Sequence, residues 1–201
     1  MIIQILGIFG IISPILYTLA WIIIGSIQPG YSHIKDDISS LFAVGAPYKR
    51  LMQSLNIISS GSLLAFSLGL HVGIPGGAGS IFGPLLFSIS CLLGFLVTLF
   101  FPLDEGGEIT TYKGKLHLIL VVLTGILNII VMVVLGFRLL PIPGWDALAW
   151  ILFILAGVSL FLVVLSGKYA KSKYMGLVER LMVTPYQLFY FFLGLVVFLN
   201  N

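Results

Sequence analysis

Long apolar runs alternate with short polar stretches along the whole chain. Six of these runs contain roughly 20 mostly apolar residues, the length that an α-helix needs to cross the hydrocarbon core of a bilayer. They cover residues 2–27, 51–72, 81–101, 116–140, 147–166 and 181–199. The pattern predicts an all-α, polytopic membrane protein in which residues 1–201 form a single six-helix transmembrane domain.

The five links between these runs are of two kinds. The second and fourth links are short and rich in glycine and proline, which predicts tight turns. The other three links are longer and carry nine of the ten Lys and Arg residues, with only Arg138 on the other side. Because cytoplasmic loops are enriched in Lys and Arg, we expect a multi-pass protein of the cell membrane with both termini outside. The same sorting explains the net charge of +3 without nucleic acid as a partner.

The first link is the most unusual stretch of the chain. Charged residues make up only 8% of the sequence, yet His33, Asp36 and Asp37 occur together at a membrane boundary. Apolar residues recur at helical spacing after Asp37, and Gly45 follows them as a stop signal, which predicts a short interfacial helix. Asp36 or Asp37 is then its cap. A cap uses one carboxylate, so the second acid is left for another role.

Other ionisable residues are predicted at the same boundary. Asp104 comes from the third link, His117 from the start of the fourth span, and Glu179 and Arg180 from the start of the sixth. Their convergence on one side of the membrane predicts a shared site near the ends of these links.

Polar positions continue from this boundary into the spans. Asn128 follows His117 by eleven positions, which places it roughly 16 Å deeper at 1.5 Å per residue. We infer a polar cavity that is open to the charged side. Its predicted ligand-binding residues are Asp36, Asn56, Asn128, Glu179, Arg180 and Gln187. The alternative is that the amides only join helices to one another, at about 0.6 kcal/mol each.

Several short motifs stand out in order along the chain. They are Tyr31-Ser32-His33, Asp37-Ile38-Ser39-Ser40-Leu41, Gly45-Ala46-Pro47, Phe101-Pro102-Leu103-Asp104, His117 and Gly176-Leu177-Val178-Glu179-Arg180-Leu181. Together they resemble the domain of unknown function 998 family over nearly the whole chain. The resemblance implies a six-span integral membrane protein with a shared site at the ends of these links, and it implies no particular reaction.

Two classes of function fit this cluster. The first is a protein that binds a membrane lipid or a small amphiphile, whose anionic head pairs with Arg180, Lys49 or Arg50 and which needs no cofactor. The second is a metal-dependent intramembrane hydrolase in which zinc activates a water molecule. Its predicted metal ligands are His33, Asp37, Asp104 and His117, with Asp36 as an alternative to Asp37. The sequence contains neither an HExxH nor an HxxxH motif to support the metal.

Serine catalysis and transport are further alternatives. A Ser39 nucleophile would be assisted by His33 or His117 and by Asp37. The full candidate catalytic set is His33, Asp37, Ser39, Asp104 and His117. A proton-coupled transporter would use the same acids, although nothing on the opposite side resembles a second gate. Six spans also allow a homo-oligomer, in which each copy supplies half of a pathway.

Overall fold

A computed structural model describes residues 1–75, 79–105, 109–170 and 172–201. These residues form six long α-helices and one short 3₁₀ helix, Ser39–Phe42. The α-helices are α1 (Ile2–Ile27), α2 (Lys49–Gly73), α3 (Phe82–Phe100), α4 (Tyr112–Leu139), α5 (Asp146–Tyr169) and α6 (Met175–Leu199). All six are long and apolar enough to cross a membrane. The predicted all-α, multi-pass architecture is therefore confirmed.

The six helices form a closed ring in the order of the sequence. Each helix packs on the next, and α6 returns to pack on α1. Phe66, Phe87 and Phe189 are fully buried inside the ring. Their rings meet edge to face at centroid distances of 6.1 and 5.3 Å, the arrangement that aromatic pairs prefer. Apolar packing thus holds the middle of the ring together, and the polar links lie at its ends.

Two helices begin at least a full turn before the apolar runs that predict them. The hydroxyl of Thr111 accepts a hydrogen bond from the Gly114 N–H and caps α4, which begins at Tyr112. Helix α6 begins at Met175, so Glu179 lies inside the helix. A polar turn is helical when its backbone is capped or packed, whatever its hydropathy. Hydropathy therefore predicts the membrane-crossing parts of α4 and α6 and misses their first turns.

The first, third and fifth links lie at one end of the ring, which we call the charged end. The helix found in the first link is a single 3₁₀ turn that ends at Phe42, shorter than the helix predicted up to Gly45. Ile38, Leu41 and Phe42 are buried in a cluster with residues of α1 and α2. Gly45, with φ of 83°, reverses the chain after it. Lys171 and part of the turn predicted at residues 73–80 lie outside the described residues.

Candidate functional site at the charged end

The first link is fastened to the beginning of α6. The Ile38 N–H donates to Glu179 Oε2 at 2.7 Å. The carbonyl of Asp36 lies so close to Gly176 that a Cβ at this position would collide with it. The structure therefore brings two of the sequence motifs, one from each end of the chain, into direct contact.

Arg180 is the centre of this contact. Its side chain is only 7% exposed. Nη1 donates to the carbonyl oxygens of Asp36 and Gly176 at 2.9 and 2.8 Å, and Nη2 donates to the Tyr31 hydroxyl. The guanidinium carbon lies 5.0 Å from the centroid of the Trp21 ring, within the range of a cation–π interaction. Backbone carbonyls and aromatic rings thus surround the positive charge.

A groove of about 170 Å³ runs between α1 and α6 beside this arginine. It is lined by Thr18, Trp21, Arg180, Val183, Thr184, Gln187 and Leu188. The Nε of Arg180 is buried and has no hydrogen-bond partner in the described part of the chain. None of the hydrogen bonds found for this side chain goes to a carboxylate. The groove therefore ends at a buried cation that keeps an unused donor.

The groove has a different position from the predicted cavity. Arg180 and Gln187 both line it, as expected for polar residues on one face of a helix. Thr184 and Leu188 are exposed, however, so the groove opens on the outer surface of the ring. On α6 the polar stripe faces a boundary between two helices rather than the interior that we had expected.

The two predicted amide ligands lie elsewhere. Asn56 is 4% and Asn128 is 2% exposed, and neither lines the groove. The Oδ1 atom of each is buried without a hydrogen-bond partner within the residues that the structure covers. A ligand-binding role for these two asparagines stays a prediction.

A second, wider cleft lies at the membrane boundary. Its volume is about 390 Å³, and its walls come from the first link and from Glu105 of the third link. Asp36 and Glu105 both line it, and Asp36 Oδ2 accepts the Ser32 N–H at 2.6 Å. Asp36 thus shapes its own loop with one carboxylate oxygen while bordering the cleft.

Asp37 organises the 3₁₀ turn. Its Oδ1 accepts the Ser40 N–H at 2.6 Å, and the Ser40 hydroxyl donates to the Asp37 carbonyl at 2.7 Å. Burial raises the pKa of Asp37, while the Ser40 N–H and the nearby His117 act in the opposite direction. The cap position of the turn is Ile38, so neither acid occupies it as predicted; Asp37, one residue earlier, instead accepts an N–H of the first turn with its carboxylate.

Ser39 and His117 meet across the first link and α4. The Nε2 atom of His117 lies 3.2 Å from Ser39 Oγ, and its Nδ1 lies 2.6 Å from the Phe101 carbonyl oxygen. The imidazole is only 3% exposed and packs against the Phe42 ring. Two members of the candidate catalytic set are thus in hydrogen-bonding contact.

Both carboxylate oxygens of Asp104 accept hydrogen bonds from the two threonines that precede α4. Its Oδ2 accepts from the Thr110 and Thr111 N–H groups at 2.7 and 2.6 Å and from the Thr110 hydroxyl at 3.1 Å, and Oδ1 accepts the Thr111 hydroxyl at 2.5 Å. These donors, those of Thr111 above all, lower the pKa of Asp104 to about 2. These hydrogen bonds give Asp104 a structural role, because they hold the third link in place just before α4.

His33 lies apart from His117, on the side of α1. Its Nε2 is 3.3 Å from Ser26 Oγ, and its ring meets the edges of Trp21 and Tyr31. Burial and the nearby charge of Arg180 lower the pKa of His33. Within the ranges that the structure describes, no three His, Cys, Asp or Glu side chains are close enough to hold a metal ion. The predicted zinc ligands His33, Asp37, Asp104 and His117 are therefore not gathered around one point.

Comparison with known proteins gives one match. A family model described as "Protein of unknown function (DUF998)" matches residues 11–196. The chain belongs to this family. The resemblance inferred from the motifs is thereby confirmed, and the matched range of this DUF998 protein reaches into all six helices. No curated protein and no solved structure matches the chain.

Sequence reasoning missed the α1 side of the groove in this DUF998 protein. Thr18 and Trp21 are three positions apart and therefore share a helix face, which was an available signal. Tyr31 was recognised only as part of a motif, although its hydroxyl accepts a hydrogen bond from Arg180. The Phe101 carbonyl that orients His117 left no signal, because every residue has a carbonyl group.

Proposed function

We propose that this protein binds an anionic amphiphile in the groove between α1 and α6, with the anionic head at Arg180. The observation that carries the proposal is the buried, unpartnered Nε of that residue at the end of the groove. A guanidinium has five N–H donors, and protein groups accept from Arg180 in three hydrogen bonds within the described residues. Donors therefore remain for a carboxylate or a phosphate.

The electrostatics of the site favour an anion. Transfer of an ion out of water costs several kcal/mol unless partners compensate for the lost hydration. Carbonyl dipoles and the Trp21 ring offset part of this cost for Arg180, and hydrogen bonds from a charged donor to a charged acceptor are the strongest kind. An anionic head would supply the counter-charge that the protein contacts of Arg180 lack.

The shape of the groove favours an amphiphile over a compact soluble ligand. Pockets for drug-sized molecules usually have volumes of about 300–1,000 Å³, whereas this groove holds about 170 Å³. It suits a head group and the first part of a chain. Val183 and Leu188 line it, and Leu188 is exposed on the outer face of the ring. The rest of an apolar tail would lie along that face, in the bilayer.

Binding is tested with purified protein in mild detergent. Palmitate, its neutral methyl ester and a lysophosphatidate are offered to the wild type, to Arg180→Gln and to Arg138→Gln. We expect palmitate to bind the wild type at least tenfold more tightly than the ester does, and Arg180→Gln to lose about 10- to 100-fold in affinity, as for a charged hydrogen bond. The Arg138→Gln control removes a cation at the other end of the ring and should bind like the wild type.

The ligands and variants separate the outcomes. A wild type that binds neither palmitate nor the lysophosphatidate more tightly than the neutral ester would refute the proposal even if Arg180→Gln proved unstable. Preference for palmitate would indicate a fatty-acid carboxylate, and preference for the lysophosphatidate a phospholipid phosphate. Equal losses in the two arginine variants would also refute a specific role for Arg180.

The proposal includes an orientation in the cell membrane. The Lys and Arg residues of the charged end support a cytoplasmic position for it, with both termini outside. In a Cys91→Ser background, Asn201→Cys should react with a membrane-impermeant maleimide added to intact cells, and Ser172→Cys should not. The reverse labelling pattern would invert the orientation.

A further inference from the structure

The contact between Ser39 and His117 has the proton arrangement that nucleophilic catalysis requires. A carbonyl oxygen only accepts hydrogen bonds, so the 2.6 Å contact with Phe101 O places a proton on His117 Nδ1. In the neutral ring Nε2 then carries a lone pair, and the Ser39 hydroxyl, 3.2 Å away, donates to it. The Ser39 hydroxyl thus donates to His117 Nε2, and the Phe101 carbonyl on the other side of the ring fixes the tautomer of this histidine.

Ser39 and His117 are both held in place by their surroundings. The 3₁₀ turn that carries Ser39 is pinned by the Asp37 carboxylate, and its Leu41 is fully buried. His117 is enclosed, with the Phe42 ring centroid 6.0 Å from its own. Ser39 itself is partly exposed. A buried base beside a reachable hydroxyl is the usual relation of general base to nucleophile.

We propose that Ser39 and His117 form a catalytic pair for acyl transfer from an ester of a membrane amphiphile. Ser39 Oγ attacks the carbonyl carbon while its proton passes to His117 Nε2. The bond to the alcohol then breaks, the alcohol leaves with that proton, and an acyl-serine remains. Water gives a proton to Nε2 as it attacks the acyl group, and the return of this proton to Ser39 releases the acid.

The position of the pair suggests its substrate class. Ser39 lies in the first link, and His117 lies in the second turn of α4, both at the charged end. An ester located where the head group meets the chain of a lipid occupies the same depth as such a boundary. The Phe101 carbonyl takes the orienting role that a carboxylate has in a catalytic triad. This activity is separate from amphiphile binding at Arg180, since neither Ser39 nor His117 lines the groove.

The pair is tested with a biotinylated fluorophosphonate, which forms a stable adduct with activated serines. The purified wild type in detergent should be labelled, and peptide mass spectrometry should place the adduct on Ser39. Labelling should disappear in Ser39→Ala and fall at least 100-fold in His117→Gln, because a positioned base contributes about 10²–10⁴-fold. Ser40→Ala is the matched control, since its hydroxyl donates to the Asp37 carbonyl and not to a histidine.

Two results would overturn the proposal. One is a wild type that stays unlabelled, or carries its adduct on another serine, under conditions that label a known serine esterase. The other is equal labelling of the wild type and His117→Gln, since the serine would then react without its base. Neither result depends on the stability of Ser39→Ala.

Discussion

The two halves of the α1–α6 interface are built in opposite ways. Towards the opposite end of the ring, glycines bring the helices into backbone contact. A Cβ added to Gly194 would lie 2.7 Å from the carbonyl carbon of Gly10, and one added to Gly7 would lie 2.9 Å from the Phe198 nitrogen. Towards the charged end the groove that ends at Arg180 lies between the same helices. Side-chain size therefore decides where this interface is closed and where it is open.

The groove depends on both halves of the α1–α6 interface. Helices that approach closely through small residues lose that approach as soon as larger side chains intervene. Trp21 and Arg180 are such side chains, and they stack on each other between α1 and α6. The glycine contact fixes the distance between the helices, and the large pair keeps the groove open at the other end.

The largest effect is expected from a substitution that pushes apart the close backbone contact between Gly194 and Gly10. Gly194→Ala should lower the free energy of unfolding by about 3 kcal/mol, because the added methyl group meets backbone, which yields little. Thermal unfolding in detergent measures it. A Cβ at Gly157 meets nothing within 4 Å, so Gly157→Ala in α5 should be neutral or stabilise by up to about 1 kcal/mol. Equal effects of the two substitutions would show that the close contact has no energetic role.

The second-largest effect on stability is expected at the charged end of the α1–α6 interface, where Arg180 lies. Arg180→Met should cost about 2 kcal/mol, because the Tyr31 hydroxyl and the carbonyls of Asp36 and Gly176 lose their donor. Tyr31→Phe removes one of these contacts together with the hydrogen bond that the Tyr31 hydroxyl donates to the Asp37 carbonyl at 2.9 Å, and should cost about 1 kcal/mol. Chemical denaturation of both variants checks the order. If Tyr31→Phe cost as much as Arg180→Met, the Tyr31 hydroxyl and its bond to the Asp37 carbonyl, rather than the arginine, would be the main stabilising group.

Filling the groove should change binding more than stability. Thr184 is exposed and lines the groove, so Thr184→Phe should reduce palmitate affinity at least fivefold. The free energy of unfolding should change by less than about 1 kcal/mol, as for most exposed positions. Val164→Phe, on the exposed face of α5, is the control and should bind palmitate normally. Unchanged binding by Thr184→Phe would place the ligand outside the groove.

The smallest effect is a pH dependence from His33. Burial and Arg180 lower its pKa in the folded protein, so between that pKa and about 6.5 the unfolded chain binds more protons. Stability should therefore fall as the pH drops from 7 towards 5. Melting temperatures of wild type and His33→Gln across this range test it, and the variant should show a shallower decline. If the melting temperatures of the two proteins fell in parallel with pH, groups other than His33 would cause the loss of stability.

The fold was largely predictable, because six apolar runs of membrane-crossing length leave few alternatives. What the pattern missed lies at helix ends. Tyr112 and Met175 open their helices several residues before the apolar runs begin. A capping threonine or a contact with a distant link decides such positions, and neither raises hydropathy.

The site was predictable as a location and less so as a set of contacts. Charge sorting placed Asp36, Asp37, Glu179 and Arg180 at one boundary, where the first link does pack on α6. It did not show that Arg180 uses backbone carbonyls rather than acids. Such partners carry no residue-type signal, so only the folded chain reveals them.

The clasp between the first link and α6 also has a consequence for biosynthesis. The partners of Arg180 precede it by 144 residues at Asp36 and by 149 at Tyr31. While the earlier helices enter the bilayer, the Tyr31 hydroxyl and the Asp36 carbonyl lack this partner. The first link gains its contacts with α6 only once the last helix emerges from the ribosome, so a product truncated before that helix would leave the Asp36 carbonyl and the Ile38 N–H without their partners and open to quality-control proteases.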